Sequence, residues 1–349
     1  MIVEAADLLA HAEDLLEERR IEEAEAAFYR AEESGADSDR CAGGRWMTSM
    51  LRGDFESAWR ESDQIRERGT PDEHRFWQGE DLAGKRVIVR CLHGFGDAVQ
   101  FLRYVPQLRT LVRSLIVEVN PRMVELARCI DGVNKVITWG DQAPLTPPEW
   151  DVQIEVMELP YIFRTTVEQL PLKTNYVKVP HITTDRVAAM LGRRSKPRVG
   201  IVWSCGEWNL SRSVPFEHLR SLLNQSGCEF WNLQGGEVRG EAGGRLCDAP
   251  EICDGDLLGL AGVISQMDLV ITADTLAAHL AGAMNVPAWI MLQHAADWRW
   301  MTDRNDSPWY SSVRLFRQPK RDDWASVVTN VGRALQQWLS AHHDEAKAA

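Results

Sequence analysis

The apolar run "KRVIVR" leads into "GFGDAV" at residues 94–99, and a helical stretch follows. A strand, a glycine-rich turn and a helix together make the arrangement that cradles a dinucleotide. Gly94 and Gly96 fit that pattern, whereas Val99 stands where the third glycine belongs. Asp97 is harder to fit, because at the first turn of the helix its charge competes with a phosphate for the same backbone N–H groups. Two roles are open to it: a helix cap, for which aspartate is favoured, or a side chain facing a cleft beside a turn held open by the two glycines. Glu118 ends the next strand where a ribose-binding acid would stand, so a nicotinamide-dependent dehydrogenase is a second reading of this unit.

A second strand–turn–helix–strand unit spans "DLVITADTLAAHLAGAMNVPAWIML", residues 268–292. Asp274 and Thr275 lie at its helix start, and Ala277, Ala278, Ala281, Gly282 and Ala283 let that helix pack closely. Its first-turn N–H groups can hold a diphosphate, with the Thr275 hydroxyl adding a donor. His279 on the same helix is either a ligand or a satisfied core residue. In "WSCGEWNLSRSVPFEHL", residues 203–219, Arg212 is a lone cation after a strand, which suits either a phosphate clamp or a solvated loop. Trp203, Gln234 and Gly235 follow strands of the same half; the glycines of "NLQGGE" allow backbone approach to a nucleotide and equally allow a plain turn. The stretch 294–310 packs three tryptophans and Tyr310 among charges, either as an aromatic shelf in a cleft or as interdomain packing with some rim residues exposed. "CDGD" at 253–256 mimics a metal motif but precedes a helix and caps it on this reading, so no metal is assigned.

The elements that must position these residues are alternating strands and helices. Strands are predicted at "RVIVRC", "SLIVEV", "KVITW" and "DVQIEV", with helices at 98–112 and 121–130. After "LGRRSKP" a second run begins with "RVGIVW", "EFWNL", "DLVIT", "PAWIML" and "VRLF", with helices at 215–225, 256–266, 274–284 and 322–340. Two α/β halves joined near 185–197 leave a cleft between the carboxyl ends of their strands, where open parallel sheets bind ligands. Ahead of them, residues 2–68 read as all helix. Ile21 aligns with Phe55 and Ala24 with Ala58, a period of 34 residues that matches tetratricopeptide (TPR) hairpins, with a generic helical bundle as the alternative. Two such units leave an apolar face to dock on something. A polar linker occupies 69–85, so the domains are expected at 1–70, 71–190 and 191–349. Because the nucleotide motifs all lie beyond residue 90, deletion of 1–70 is expected to leave a folded core.

The formal net charge of −12 argues against wholesale binding of nucleic acid and requires any phosphate site to be built locally. No apolar run reaches the ~20 residues of a membrane span, and the acidic, amphipathic N-terminus is unlike a secretory signal. Seven scattered cysteines without a C-x-x-C pair suit free thiols in a reducing cytoplasm.

"GFGDAVQFLRY", "DLVITADTLAAHLAGAMNVPAWIML" and "DWRWMTDRNDSPWYSSVRLFRQ", in this order behind TPR-like helices, resemble TPR proteins with a glycosyltransferase family 9-like domain, relatives of the ADP-heptose heptosyltransferases of lipopolysaccharide synthesis. The resemblance covers roughly residues 75–340. It implies an α/β GT-B fold of two Rossmann-like domains, a donor held by the C-terminal one, no metal or other cofactor, and inversion at the sugar carbon. In that family the aspartate of the glycine-rich loop is the proposed acceptor base, which matches Asp97. The aspartate–threonine pair that contacts donor sugar and diphosphate matches Asp274 and Thr275, the basic residue matches Arg212, and His279 falls on the family's histidine. Arg212 stands where heptosyltransferases can carry lysine, and the helical arm is additional. The implied partners are a nucleotide-sugar donor and a protein or glycan acceptor, with the arm engaging a protein or selecting the acceptor. A non-catalytic TPR scaffold with a vestigial nucleotide-sugar domain is the reading from another functional class.

Overall fold

The computed structural model describes residues 2–70, 75–140, 150–171, 175–248 and 255–348. Residues 71–74 of the expected linker, and Cys253 and Asp254 of "CDGD", lie outside them.

Four helices open the chain: α1 (Ile2–Glu17), α2 (Ile21–Glu33), α3 (Ser38–Arg52) and α4 (Phe55–Arg68). Asp37 and Asp54 cap α3 and α4 by accepting the N–H groups of Arg40 and Ser57, the usual means of satisfying orphan first-turn donors. The repeat-related positions Ile21, Ala24, Phe55 and Ala58 are all buried. Between the helices Arg45, itself buried, donates from Nε and Nη2 to the Glu61 carboxylate and from Nη1 to Glu32.

This arm shares an apolar core with the α/β halves. Ile21, Met50, Leu51, Phe55, Ala58 and Trp59 belong to one apolar core shared with both of them. Phe55 meets the rings of Trp298 and Trp309, and Trp59 Nε1 donates to the Thr165 carbonyl at 2.8 Å. Asp63 accepts from the Tyr161 hydroxyl at 2.6 Å and pairs with Arg164. The apolar face of the arm is buried against the core of the α/β halves, which argues against the expectation that removing residues 1–70 leaves that core intact.

The first sheet contains β1 (Arg86–Arg90), β2 (Ser114–Val119), β3 (Val136–Thr138) and β4 (Val152–Glu155), in the order β3-β2-β1-β4 and all parallel. The second contains β5 (Arg198–Val202), β6 (Glu229–Asn232), β7 (Cys247–Asp248), β8 (Leu269–Ala273), β9 (Ala288–Leu292) and β10 (Val313–Arg317), in the order β10-β9-β8-β5-β6-β7, also all parallel. Read from its third strand outward, each half follows the doubly wound 3-2-1-4 pattern, and the second completes it to six strands. Strands β5, β8 and β9 are buried along their whole length, as central strands of a covered parallel sheet must be. The order reverses between β1 and β4 and again between β5 and β8, so each half has its switch point there.

Several helices differ from the expected ones. The stretch 98–112 divides into α5 (Phe95–Phe101), a 3₁₀ turn Leu102–Tyr104 and α6 (Val105–Leu111), because Pro106 has no N–H to continue an α-helical ladder. The stretch 121–130 becomes a 3₁₀ turn Pro121–Met123 and a single α-turn, α7 (Val124–Ala127). After α8 (Leu159–Ile162), the connecting region near 185–197 is in large part a helix, α9 (His181–Leu191). It packs on the second half against α11 (Leu257–Ile264), where a Cβ on Gly262 would meet Thr183 and Val187 at 3.0 Å. The remaining helices are α10 (Phe216–Leu223), α12 (Leu276–Ala283) and α13 (Trp324–Ala348).

Candidate functional site

The two switch points face one another across a cleft of about 700 Å³. One wall is the loop after β1, Leu92 to Asp97, with Met157 beyond β4; the other brings Cys205, Gly206 and Arg212 from beyond β5, Asp274 and Thr275 from beyond β8, and Asp297 and Arg299 from beyond β9. Gly94, Gly96, Asp97, Arg212, Asp274, Thr275 and His279 thus line one space.

Asp97 is the third residue of α5 rather than its cap. Gly94 is the cap, and its N–H donates back to Asp97 Oδ2 at 3.0 Å, leaving that donor unavailable to a phosphate. The other carboxylate oxygen, Oδ1, receives Arg299 Nη2 at 2.5 Å. A carboxylate offers about four lone-pair sites, so both oxygens retain acceptor capacity toward the cleft. Glu118, the stand-in for a ribose acid, is buried and paired to Arg90 at 2.6 Å. A dinucleotide turn in the first half is thus left without a third glycine, without its first N–H and without a free acid.

Gly96 brings the halves together rather than holding a space open. A Cβ on Gly96 would lie 2.8 Å from His279 Cδ2, so α5 can approach α12 only because that position is glycine. His279 is buried, its Nδ1 lies 3.0 Å from the Tyr310 hydroxyl, and it stacks on Trp300. Burial, with Arg299, Arg103 and Arg212 nearby, drives its pKa well below the ordinary value, so the ring is neutral. It presents a flat wall rather than a charge.

On the opposite wall Thr275 caps α12, accepting the Ala277 N–H at 3.3 Å and sharing a hydrogen bond with Thr272 at 3.0 Å. Asp274 is buried, and burial with the Asp297 carboxylate raises its pKa to about 6, against the opposing Arg212 and Arg299 charges. Arg212 Nη1 stands 3.8 Å from Asp274 Oδ2, a loose pair, and its buried Nε has no hydrogen-bond partner. A cation with unspent donors beside a helix N-terminus suits an oxyanion. Trp203, Gln234 and Gly235 do not line this cleft. Gln234 Oε1 accepts the N–H groups of Trp203 and Ser204, and its Nε2 donates to the Ser204 and Gly235 carbonyls, tying the ends of β5 and β6 together. Trp203 is buried with Nε1 on Glu241, at the edge of a separate cavity of about 420 Å³.

Five side chains of this region escaped sequence reasoning. Arg299 and Asp297 lie within 294–310, which read as aromatic packing; Trp298, Trp300, Trp309 and Tyr310 are indeed all buried, yet Arg299 points into the cleft between Asp97 and Asp297, 2.8 Å from the latter. Burial works against its charge, but Asp297, Asp97 and Asp274 hold it protonated. Behind the opposite wall, Glu155 ends β4 and its Oε1 lies 3.9 Å from His93 Nε2. Burial, reinforced by Glu158 and Asp97, raises Glu155 to about 8; burial raises Glu158 to about 7 against three backbone N–H donors. All five follow or end strands, the positions where ligands of parallel sheets gather, so that topological rule was the available signal. Among the described residues, no three His, Cys, Asp or Glu side chains cluster in a way that could hold a metal ion. No helix among them is long and apolar enough to cross a membrane.

No protein-family model matches the sequence. The chain is 26% identical over 291 residues to Protein FlbA of Caulobacter vibrioides, covering 76% of this chain and 48% of that protein, so it spans about half the length of this curated relative. Among solved structures it resembles the ADP-heptose lipopolysaccharide heptosyltransferase II of E. coli with a TM-score of 0.56 at 15% identity, over 74% of this chain and 99% of the other. It also resembles a family 9 glycosyl transferase from Veillonella parvula with a TM-score of 0.55 at 12% identity, over 75% and 99%. The α/β part thus has the GT-B-type fold, preceded by a helical region.

Proposed function

We propose that this chain is an inverting glycosyltransferase that moves a sugar from a nucleotide-diphosphate sugar to an acceptor hydroxyl without a metal ion. The observation that carries the reading is the opposition, across one cleft, of an acid at the first half's switch point (Asp97) and an oxyanion-binding wall at the second's (Arg212, Thr275 and the N-terminus of α12). The two groups that displacement at an anomeric carbon requires stand on opposite walls.

In the proposed step the acceptor oxygen bonds to the anomeric carbon while Asp97 takes its proton. The bond from that carbon to the diphosphate oxygen breaks, and its electron pair leaves with the nucleoside diphosphate. Arg212 and the N–H groups at the start of α12 meet the charge that develops there, the part played by a metal in other enzymes. The acidic net charge makes this local cation matter, since the field of the whole chain opposes the ligand. A heptose is the first donor sugar to test, because the E. coli neighbour uses ADP-heptose. We place the enzyme in the cytoplasm, with the TPR-like arm engaging the protein or glycan acceptor.

The scaffold reading has one observation in its favour: Arg299 occupies Asp97. A thermal-shift panel of ADP-, GDP-, UDP- and CMP-sugars, followed by a donor-hydrolysis assay in EDTA, tests both. A stabilising donor that is slowly hydrolysed in EDTA supports the transferase; stabilisation without turnover supports the scaffold, and hydrolysis that needs Mg²⁺ or Mn²⁺ overturns metal independence.

A further inference from the structure

The segment 296–302, which carries Arg299 into the cleft, is gripped by the helical arm at three places. At one end Arg19, at the α1–α2 turn, donates from Nη2 to the Ala296 carbonyl at 2.6 Å. At the other the Thr302 N–H donates to the Leu51 carbonyl of α3 at 3.1 Å. Between them Trp298 is held edge-on by Trp46 of α3 at 5.5 Å and by Phe55 of α4 at 6.4 Å, and it stacks on Phe101 of α5. The next residue, Arg299, lies over the Trp298 and Phe101 rings and reaches Asp97.

We propose that the arm is a positioning part of the site: by holding Trp298 it sets where Arg299 sits, and Arg299 in turn fixes the orientation of the Asp97 carboxylate. Trp46, Trp298 and Arg299 are then positioning residues. The catalytic meaning of this chain of contacts rests on the proposed role of Asp97, but the mechanical chain does not. A guanidinium held by ring faces and two carboxylates has little freedom, so the carboxylate it grips loses rotamers as well. Without the arm's grip Trp298 keeps only the Phe101 and Trp309 rings among its ring contacts in the described residues, while Arg317 and His279 still hold Trp300 and Met301 beyond it. An acceptor or partner bound to the arm would thereby bear on the geometry at Asp97, some of whose supports are arm side chains.

The test is hydrogen exchange by mass spectrometry on the full chain, which needs no turnover. Trp46→Ala should speed exchange in 296–302 and also in 92–98, where the Gly94 N–H is held by Asp97, by roughly tenfold or more, while β5 is unchanged; local opening of this kind is confined to the elements that lose an anchor. Trp46→Phe should restore much of the protection. In an Arg299→Met background, Trp46→Ala should add little at 92–98, because the transmitting contact is already gone. Arg19→Met, which removes the bond to the Ala296 carbonyl together with a local one to Leu16, should act in the same direction and decides the matter if Trp46→Ala does not fold. Unchanged exchange at 92–98, or an equal effect of Trp46→Ala with and without Arg299, overturns the proposal whatever the enzyme assay shows. Loosening of both segments in a protein that proves to have no transferase activity would leave this inference standing and remove the other.

Discussion

Arg299 and Asp97 stand 202 residues apart in the chain and meet at 2.5 Å between guanidinium and carboxylate. The pair joins the second half of the α/β fold to the first at the place where the two switch points face each other. It accounts for an acid at a turn otherwise shaped for phosphate: its partner is a buried arginine, and the oxyanion wall lies opposite.

Asp97→Asn keeps one oxygen to accept the Gly94 N–H, but it gives up the ion pair with Arg299 and removes the proton acceptor. Turnover should fall by ~10²–10⁴, the usual scale for general base catalysis. Donor affinity measured by calorimetry should remain within about threefold, since the change lies outside the donor wall. An active Asn variant would return Asp97 to a purely structural role.

Arg212→Ala should weaken binding of the nucleoside diphosphate by ~1.5–3 kcal/mol, the range for hydrogen bonds to charged groups. The bare nucleoside should bind as before. Equal losses for both ligands, compared by titration calorimetry, would move the diphosphate elsewhere.

Gly96→Ala places a methyl 2.8 Å from the His279 ring, which is itself held by Tyr310 and Trp300. Overpacking of this kind costs about 1–3 kcal/mol, which should appear as a lower Tm. Because the methyl wedges the two halves apart, transfer should suffer more than stability does. A variant with wild-type Tm and turnover would show that the halves adjust freely.

Glu155 and Glu158 have pKa values raised to about 8 and about 7 from 4.5, chiefly by burial, and Asp274 is raised to about 6 from 3.8. Across these windows the folded state binds more protons than the unfolded chain, so stability falls as pH rises from the unfolded toward the folded pKa values. The expected result is a Tm that declines between about pH 5 and about pH 8, and a shallower decline for Glu155→Gln, which cannot ionise. A Tm that rises through neutrality would contradict the assignment of these groups.

Residues 71–349 expressed alone should be insoluble or lack a cooperative transition. Removing the arm strips Phe55, Trp59, Met50 and Leu51 from the shared core and uncovers Trp298. Loss of one large buried aromatic alone costs ~3–5 kcal/mol, comparable with the total stability of many domains. A soluble, donor-binding truncation would show that the arm's docking is dispensable.

Periodicity alone determined much of this protein. Among the described residues every strand of both halves except the two-residue β7 was legible: β5, β8 and β9, buried on both faces, read as apolar runs, and the others as short runs rich in β-branched and aromatic residues between polar turns. The helical character of residues 2–68 and the approximate extents of α10, α11 and α12 followed from helical spacing and, for the latter, local start signals. Asp97, Arg212, Asp274 and Thr275 were found because each follows a strand within a recognisable motif, and they converge on one cleft. Tertiary structure decided the rest. That Gly96 serves close packing on His279, that Gln234 ties two strand ends together, and that Arg299 reaches Asp97 at the cleft are all contacts between residues far apart in sequence, to which local patterns are blind. The arm shows the limit most plainly. Its apolar face was evident from the sequence, but what covers that face is Trp298, about 250 residues away, and only the folded chain brings the two together.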